Sequence, residues 1–380
     1  MNMMKKVLYV LLTLFIAANI YIIVTKKFFL YKVIRYNLAD IDDYQIFPQR
    51  SIQKSSSPQP WQHSPLAASN KFSPQVSKYL EELETVALLI IKEDTIRYEK
   101  YWESYSETSL SNSFSMAKSY VSALIGVALQ EGKIKTIDVP VSNFLPEYAI
   151  GDKGKITIRH LLTMSSGLNW EENYFSPVST VTEAYYGNNL KGLLKELKVV
   201  VEPGTQFRYK GGDTQILAFI LQEIYQQPLS KIAEDKLWKP LGAESDALWS
   251  LDTDGGDEKA SCCLNSNARD FARIGKLYLN HGIWNGQQII PSNFIDESTK
   301  GINLPDTENN RVDYYGFQWW IIPEFKGEKI FYARGVGGQY IIVAPREKMI
   351  IVRLGKKRGE KAGHTFKEVY NLIDEGIRLQ

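Results

Sequence analysis

The sequence predicts an α+β fold in which the two ends of one domain build a single antiparallel sheet, flanked by helices and carrying a helical subdomain. Three observations lead there. β-branched and aromatic runs at residues 86–92 and 95–102, parted by Glu93-Asp94, read as a hairpin near the start of the domain. A second pair, residues 339–344 and 349–354 around Pro345-Arg346-Glu347-Lys348, lies near its end. Between them, apolar residues recur at helical spacing over residues 118–130, 214–225, 229–237 and 268–279.

Composition permits such a core. Of 380 residues 44% are hydrophobic and 12% aromatic, which excludes a disordered chain, a fibrous repeat and a disulfide-stapled miniprotein. The 45 Lys and Arg offset 43 Asp and Glu, and a net charge of +2 gives no field that argues for nucleic acid as a partner. Residues 7–25 are uncharged and, as a helix, long enough to cross a hydrocarbon layer of ~30 Å. Lys5 and Lys6 precede them and no small-residue cleavage site clearly closes them, so residues 1–30 read as a retained, single-pass signal anchor, with a cleaved signal peptide as the lesser alternative. Lys26, Lys27, Lys32 and Arg35 on the far side would by themselves favour the cytoplasm, yet long domains translocate regardless of such charges. An extracytoplasmic, periplasmic domain is therefore expected. Residues 31–73, rich in Ser, Pro and Gln at 51–65, read as a tether, and the globular domain is expected over residues 74–380. Its last element is a helix within residues 364–379, spaced through Phe366, Val369, Leu372, Ile373 and Ile377.

Cysteine and histidine limit the chemistry. Cys262 and Cys263 are neighbours, and a trans peptide holds their Cα atoms closer than an ordinary disulfide prefers, so they read as buried packing residues. With four histidines, His63, His160, His281 and His364, no metal site is expected, and a Ser-His-Asp triad is short of candidates. No Gly-x-Ser-x-Gly elbow and no Gly-rich phosphate loop occurs, so no cofactor is expected. His160 reads as a packed core histidine, and Trp319 and Trp320 read as sheet residues of which one could line a cleft.

The informative segment runs from Ser113 to Gly132. Ala117, Val121, Leu124, Ile125, Ala128 and Leu129 form a helical stripe, with Ser115 at the helix start and Lys118 one turn later on the same face. A buried amine there can accept the Ser115 proton while the helix N-terminus favours the alkoxide. Ser-x-x-Lys alone is weak, since Ser51-Ile-Gln-Lys54 repeats it.

Four further segments add specificity in order and spacing: Ile156 to Leu168, Glu202-Pro-Gly-Thr-Gln-Phe-Arg-Tyr209, Ala268-Arg-Asp-Phe-Ala-Arg-Ile-Gly275 and Gly335-Val-Gly-Gly-Gln-Tyr340. With Ser115-Met-Ala-Lys118 they make the stretch from about residue 85 to 354 resemble the serine hydrolases related to class C β-lactamases and D-alanyl-D-alanine carboxypeptidases. The resemblance implies Ser115 as acylated nucleophile, Lys118 as its base and Tyr209 as proton relay. It implies an oxyanion hole of the Ser115 and Val336 N–H groups, with Arg334, Gly335 and Gly337 on the edge strand toward substrate. Two departures matter. Tyr209-Lys210-Gly211 lacks the asparagine of Tyr-x-Asn, and Ala333 to Gln339 lacks the Lys or His of the third motif. Both departures are similar to the aminohexanoate-dimer hydrolase and esterase branch, in which a loop tyrosine closes over the bound amide; here that residue would be Tyr174. The expected substrate is a small amide, ester or peptide. A non-catalytic ligand-binding protein of the same fold, and a hydrolase using a histidine beside Ser115, are the competing readings.

Overall fold

The structure is a computed structural model and describes residues 3–379. In chain order the elements that matter are helices α1 (Met3–Thr25) and α2 (Phe29–Tyr36), then strands β1 (Gln49–Ile52), β2 (Gln62–His63), β3 (Thr85–Lys92), β4 (Thr95–Tyr101) and β5 (Ser111–Asn112). Helices α3 (Ala117–Gln130), α4 (Thr180–Tyr186) and α5 (Gly211–Tyr225) follow, then β6 (Ala247–Ser250), β7 (Leu264–Ser266) and α6 (Ala268–Leu279). The chain ends with β8 (Trp320–Phe325), β9 (Glu328–Gly335), β10 (Gln339–Ala344), β11 (Met349–Gly355) and α7 (Lys367–Arg378).

The two predicted hairpins meet edge to edge. The main sheet runs β8-β9-β10-β11-β3-β4-β2, and the junction is the antiparallel pair β11–β3, with Val352 opposite Leu89 and Met349 opposite Lys92. Strand β3 is buried from Thr85 to Ile91, because α6 covers one face of the sheet and α7 the other. That explains its unbroken apolar run, where a one-sided sheet would alternate. Helix α3 is buried at every residue from Ala117 to Ala128, so it forms the middle of the core.

The expectation of a free tether is corrected. Strand β1 pairs with β6, Gln49 opposite Ser250 and Ile52 opposite Ala247, and Ile41, Ile52 and Trp61 are buried. Strand β2 extends the main sheet in parallel with β4. The polar composition of this segment hid a few apolar residues spaced widely enough to escape any periodicity. The cysteine expectation is also corrected: Cys262 and Cys263 form a vicinal disulfide with Cα atoms 3.7 Å apart, in a turn where Cys263 has φ +70°.

The packed N-terminal segment leaves one lysine in an unusual place. Lys259 is 1% exposed, donates to the carbonyls of Ala184 (3.1 Å) and Gly187 (3.4 Å), and lies over the Phe47 ring. Burial pulls its pKa down to about 7. Between about pH 7 and the unfolded lysine value of about 10.4 the unfolded chain binds more protons, so this group adds stability as pH rises and costs most below pH 7. Lys259→Met should therefore be stabilised relative to the parent at pH 6. The advantage should shrink by about 2–4 kcal/mol toward pH 10. Parallel stability curves for the two chains in denaturant titrations across that range would refute this.

Candidate active site

The chain reaches Ser115 from β5, fixed by pairing Ser111 with Ser266 and Asn112 with Asn265 on β7. The Phe114 N–H donates to Asn112 Oδ1 (2.9 Å), and Phe114 itself has φ +44°, an uncommon conformation for a residue with a bulky side chain. Ser115 lies in the single 3₁₀ turn Phe114–Met116 that leads into α3. It is not the helix cap: Met116 occupies that position, with no side-chain cap bond. One turn on, Lys118 is 2% exposed, and its Nζ donates to Ser115 Oγ at 3.0 Å and to the Ser261 carbonyl at 2.6 Å. The Nζ also sits 5.2 Å from the centre of the Tyr209 ring. With the Ser261 carbonyl holding one N–H, a neutral amine is free to turn its lone pair to the serine hydroxyl.

Tyr209 precedes α5 and packs edge-on against Tyr315 and tilted against Trp320, at 5.9 and 5.4 Å between ring centres. The next residue, Lys210, turns inward. It is 1% exposed, its Nζ donates to Ser166 Oγ (3.4 Å), and it pairs at 4.0 Å with the equally buried Asp213. Burial raises Asp213 to about 6, with Lys210 and Ser166 opposing the shift. Gly211 follows, where the sequence resemblance leads to the expectation of asparagine. A Cβ there would lie 3.2 Å from Ser261 Oγ and 3.4 Å from Trp170, so a side chain would press on the residue that holds Lys118.

The loop before α4 brings Tyr174 to the same place. The residue is 40% exposed, and its hydroxyl donates to Glu172 Oε1 (2.6 Å) and also interacts with Ser115. Burial, then the charges of Glu172 and Tyr209, hold that hydroxyl well above the usual tyrosine range, so it stays a proton donor. Glu172 is the hub of the loop, accepting also from Trp170 Nε1 (2.5 Å) and the Gly211 N–H (2.8 Å). One carboxylate thus joins the Tyr174 loop to the backbone two residues beyond Tyr209.

The β9–β10 hairpin closes the other side. A Cβ on Gly335 would fall 2.4 Å from the Ser113 carbonyl, so only glycine lets this strand end press against the turn that carries Ser115. Val336 starts the connection and is half-buried against the core. Gly337 and Gly338 have φ +85° and +82°, and Gly337 lies against the carbonyls of Gly355 and Lys356. Arg353, fully buried on β11, fixes this turn by donating to the carbonyls of Gly338 (2.6 Å), Leu83 (2.9 Å) and Lys357 (3.1 Å) and to Thr85 Oγ1 (3.0 Å). Arg334 is already engaged: its guanidinium stacks 3.4 Å from the Trp320 ring centre and donates to the His364 carbonyl (3.1 Å).

The structure therefore brings Ser115, Lys118, Tyr209 and Tyr174 together, with Gly335 behind the serine and Arg334 beside Trp320. The histidines serve elsewhere. His160 Nδ1 accepts from the Thr157 N–H in a helix cap, His281 faces Asp296 and His364 stacks on Tyr314. Among the described residues no cluster of metal-ligating side chains occurs. Sequence reasoning missed the Ser261 carbonyl, which carries no side-chain signal, and the hub role of Glu172. It also missed Arg353, whose signal was a lone charge inside the apolar run Met349–Gly355.

The model of the beta-lactamase family matches residues 75–372. The chain is 25% identical over 299 residues to the 6-aminohexanoate-dimer hydrolase of Paenarthrobacter ureafaciens, a match covering 74% of this chain and 75% of that one. A solved structure described as "Putative 6-aminohexanoate-dimer hydrolase from Bacillus anthracis" superposes with a TM-score of 0.75 at 23% identity, covering 88% of this chain and 91% of that one. A family VIII carboxylesterase superposes with a TM-score of 0.60 at 17% identity, covering 81% of this chain and 98% of that one. The sheet built from both ends of the domain, the Ser115 turn leading into a helix buried from Ala117 to Ala128 and the match over most of the domain agree: the chain belongs to the beta-lactamase family of serine hydrolases.

Proposed function

We propose that this hydrolase cleaves a small amide or ester through an acyl-enzyme on Ser115, and that α1 anchors it in a membrane with the domain on the extracytoplasmic side. The observation that carries the catalytic reading is the 3.0 Å approach of the buried Lys118 Nζ to Ser115 Oγ. Lys118 takes the hydroxyl proton as Oγ attacks the carbonyl carbon, and the N–H groups of Ser115 and Val336 receive the oxyanion. Tyr209, in contact with the Lys118 amine, passes the proton to the departing amine or alcohol. Water then attacks the acyl-enzyme by the reverse route and frees Ser115. Substrate lies along the backbone of the hairpin that carries Gly335 and Gly337, and the Tyr174 hydroxyl turns from Glu172 to donate to the bound amide or ester. An inert binding protein has no need of a buried amine set between a serine hydroxyl and a tyrosine ring.

The anchor reading rests on α1, a 23-residue helix, uncharged from Val7 to Thr25, whose residues are exposed almost throughout. For substrate, one relative is named for a 6-aminohexanoate dimer and one matching fold is a carboxylesterase. β-Lactams fit less well. Gly211 supplies no side-chain amide, and Arg334 is held on Trp320 and His364 in the place of a free cation. Each missing contact is worth roughly 1.5–3 kcal/mol, so kcat/KM for a cephalosporin should fall about 10²- to 10⁴-fold below that for the better esters or amides. A panel of short-chain esters, linear amide dimers, D-amino-acid peptides and a chromogenic cephalosporin checks this. A cephalosporin surpassing every ester and amide would overturn the substrate reading.

A further inference from the structure

Helix α2 presents two apolar faces, of which the domain uses one. Phe29 and Leu30 are buried, with Val33 and Tyr36 beside them, against Phe47 and the Tyr185–Tyr186 end of α4. The other face carries Phe28, Tyr31 and Ile34, followed by Leu38, and all four are exposed, Ile34 by 75%. Lys26, Lys27, Lys32 and Arg35 lie in α2 or just before it, with Lys32 reaching over Phe47, and no acidic residue occurs before Asp40. Helix α2 also folds back along the end of α1: the Tyr31 hydroxyl donates to Asn19 Oδ1 (2.8 Å), and Ile22 is buried in the same cluster as Phe29 and Leu30.

From this we infer that the free face of α2 is seated in the anionic headgroup layer of the bilayer that α1 crosses, an inference that rests on the anchor reading of α1. An amphipathic helix of ~12 Å with aromatic and aliphatic residues between basic flanks has the chemistry of the membrane interface. It lies beside the end of the span, so its occupant is continuous with that of α1. Anionic lipid fits the unbroken positive charge. The seat also bears on catalysis, because α4 joins α2 to the Tyr174 loop. Tyr186 OH donates to the Asn37 carbonyl (3.2 Å) at one end of α4. At the other, Ser179 Oγ donates to the Asn173 carbonyl (2.8 Å) and Thr182 Oγ1 to the Ser176 carbonyl (2.8 Å). The loop over Ser115 is thereby braced against an element held at the membrane surface.

The full chain is reconstituted into vesicles of phosphatidylcholine and phosphatidylglycerol containing lipid spin-labelled near the headgroup. A thiol-reactive fluorophore is attached without reductant at Ile34→Cys, at Leu12→Cys within α1, or at Arg346→Cys, in the turn at the opposite end of the sheet from Gly335. The parent chain serves as the labelling blank. Quenching at position 34 should exceed that at 346 by at least ~3-fold, and should drop by about half or more in a K32E/R35E background or in vesicles without phosphatidylglycerol. If quenching by mid-chain spin label occurs at 12 while 34 matches 346, the α2 seat is wrong and the anchor stands. Blue-shifted but unquenched emission at 34 likewise overturns it, in favour of a second copy of the chain. If 12 itself escapes quenching, the anchor reading fails and the seat with it.

Discussion

Ser115→Ala should lose at least ~10³-fold in kcat on the best ester of the panel while keeping its fold. The loss is large because nucleophile and activated base act as a unit: without Oγ the amine of Lys118 has nothing to deprotonate. Stability should change little, since the substitution removes a half-buried hydroxyl with its hydrogen bond from Lys118, worth about 0.5–1.5 kcal/mol, and its interaction with Tyr174. Turnover and thermal unfolding measured on the same preparation separate the two effects. A variant keeping more than about a tenth of parental kcat would show that another group is acylated.

Lys118→Met should cost about 10²- to 10⁴-fold, the usual range for removal of a positioned base. Methionine keeps the length and apolar contacts of the stem but leaves the Ser261 carbonyl without its donor. Lys118→Arg is the sharper variant. A guanidinium stays protonated at every accessible pH, so it preserves charge and hydrogen-bond donation while abolishing proton acceptance. If Lys118 accepts the serine proton, Lys118→Arg should be as inactive as Lys118→Met. Activity within about 10-fold of the parent would make the residue an electrostatic partner of Ser115 rather than its base.

The sheet was legible because its strands are either fully buried or joined by short polar turns, and both leave a pattern in sequence. The junction of β3 with β11 was legible only as an expectation that two ends must meet, since nothing local to Leu89 or Val352 specifies a partner 263 residues away. Within the site, Ser115 and Lys118 stood out because one helical turn separates them. Glu172 sat in plain view beside Tyr174, yet the bond that ties its loop to α5, from the Gly211 N–H, comes from a residue far along the chain that nothing local specifies. Ser261 acts through its carbonyl, which sequence cannot mark. The segment before residue 74 misled for the opposite reason: Ile52 and Trp61 are too sparse to form a stripe, but each enters the core singly.

The central claim is that Ser115 is the residue acylated. A fluorophosphonate probe carried through reaction with the purified full chain, proteolysis and mass spectrometry tests it directly. The adduct should lie on Ser115, should appear in step with loss of ester hydrolysis, and should be absent from Ser115→Ala. An adduct on any other serine that accounts for the lost activity, or full inhibition with Ser115 unmodified, would contradict the account.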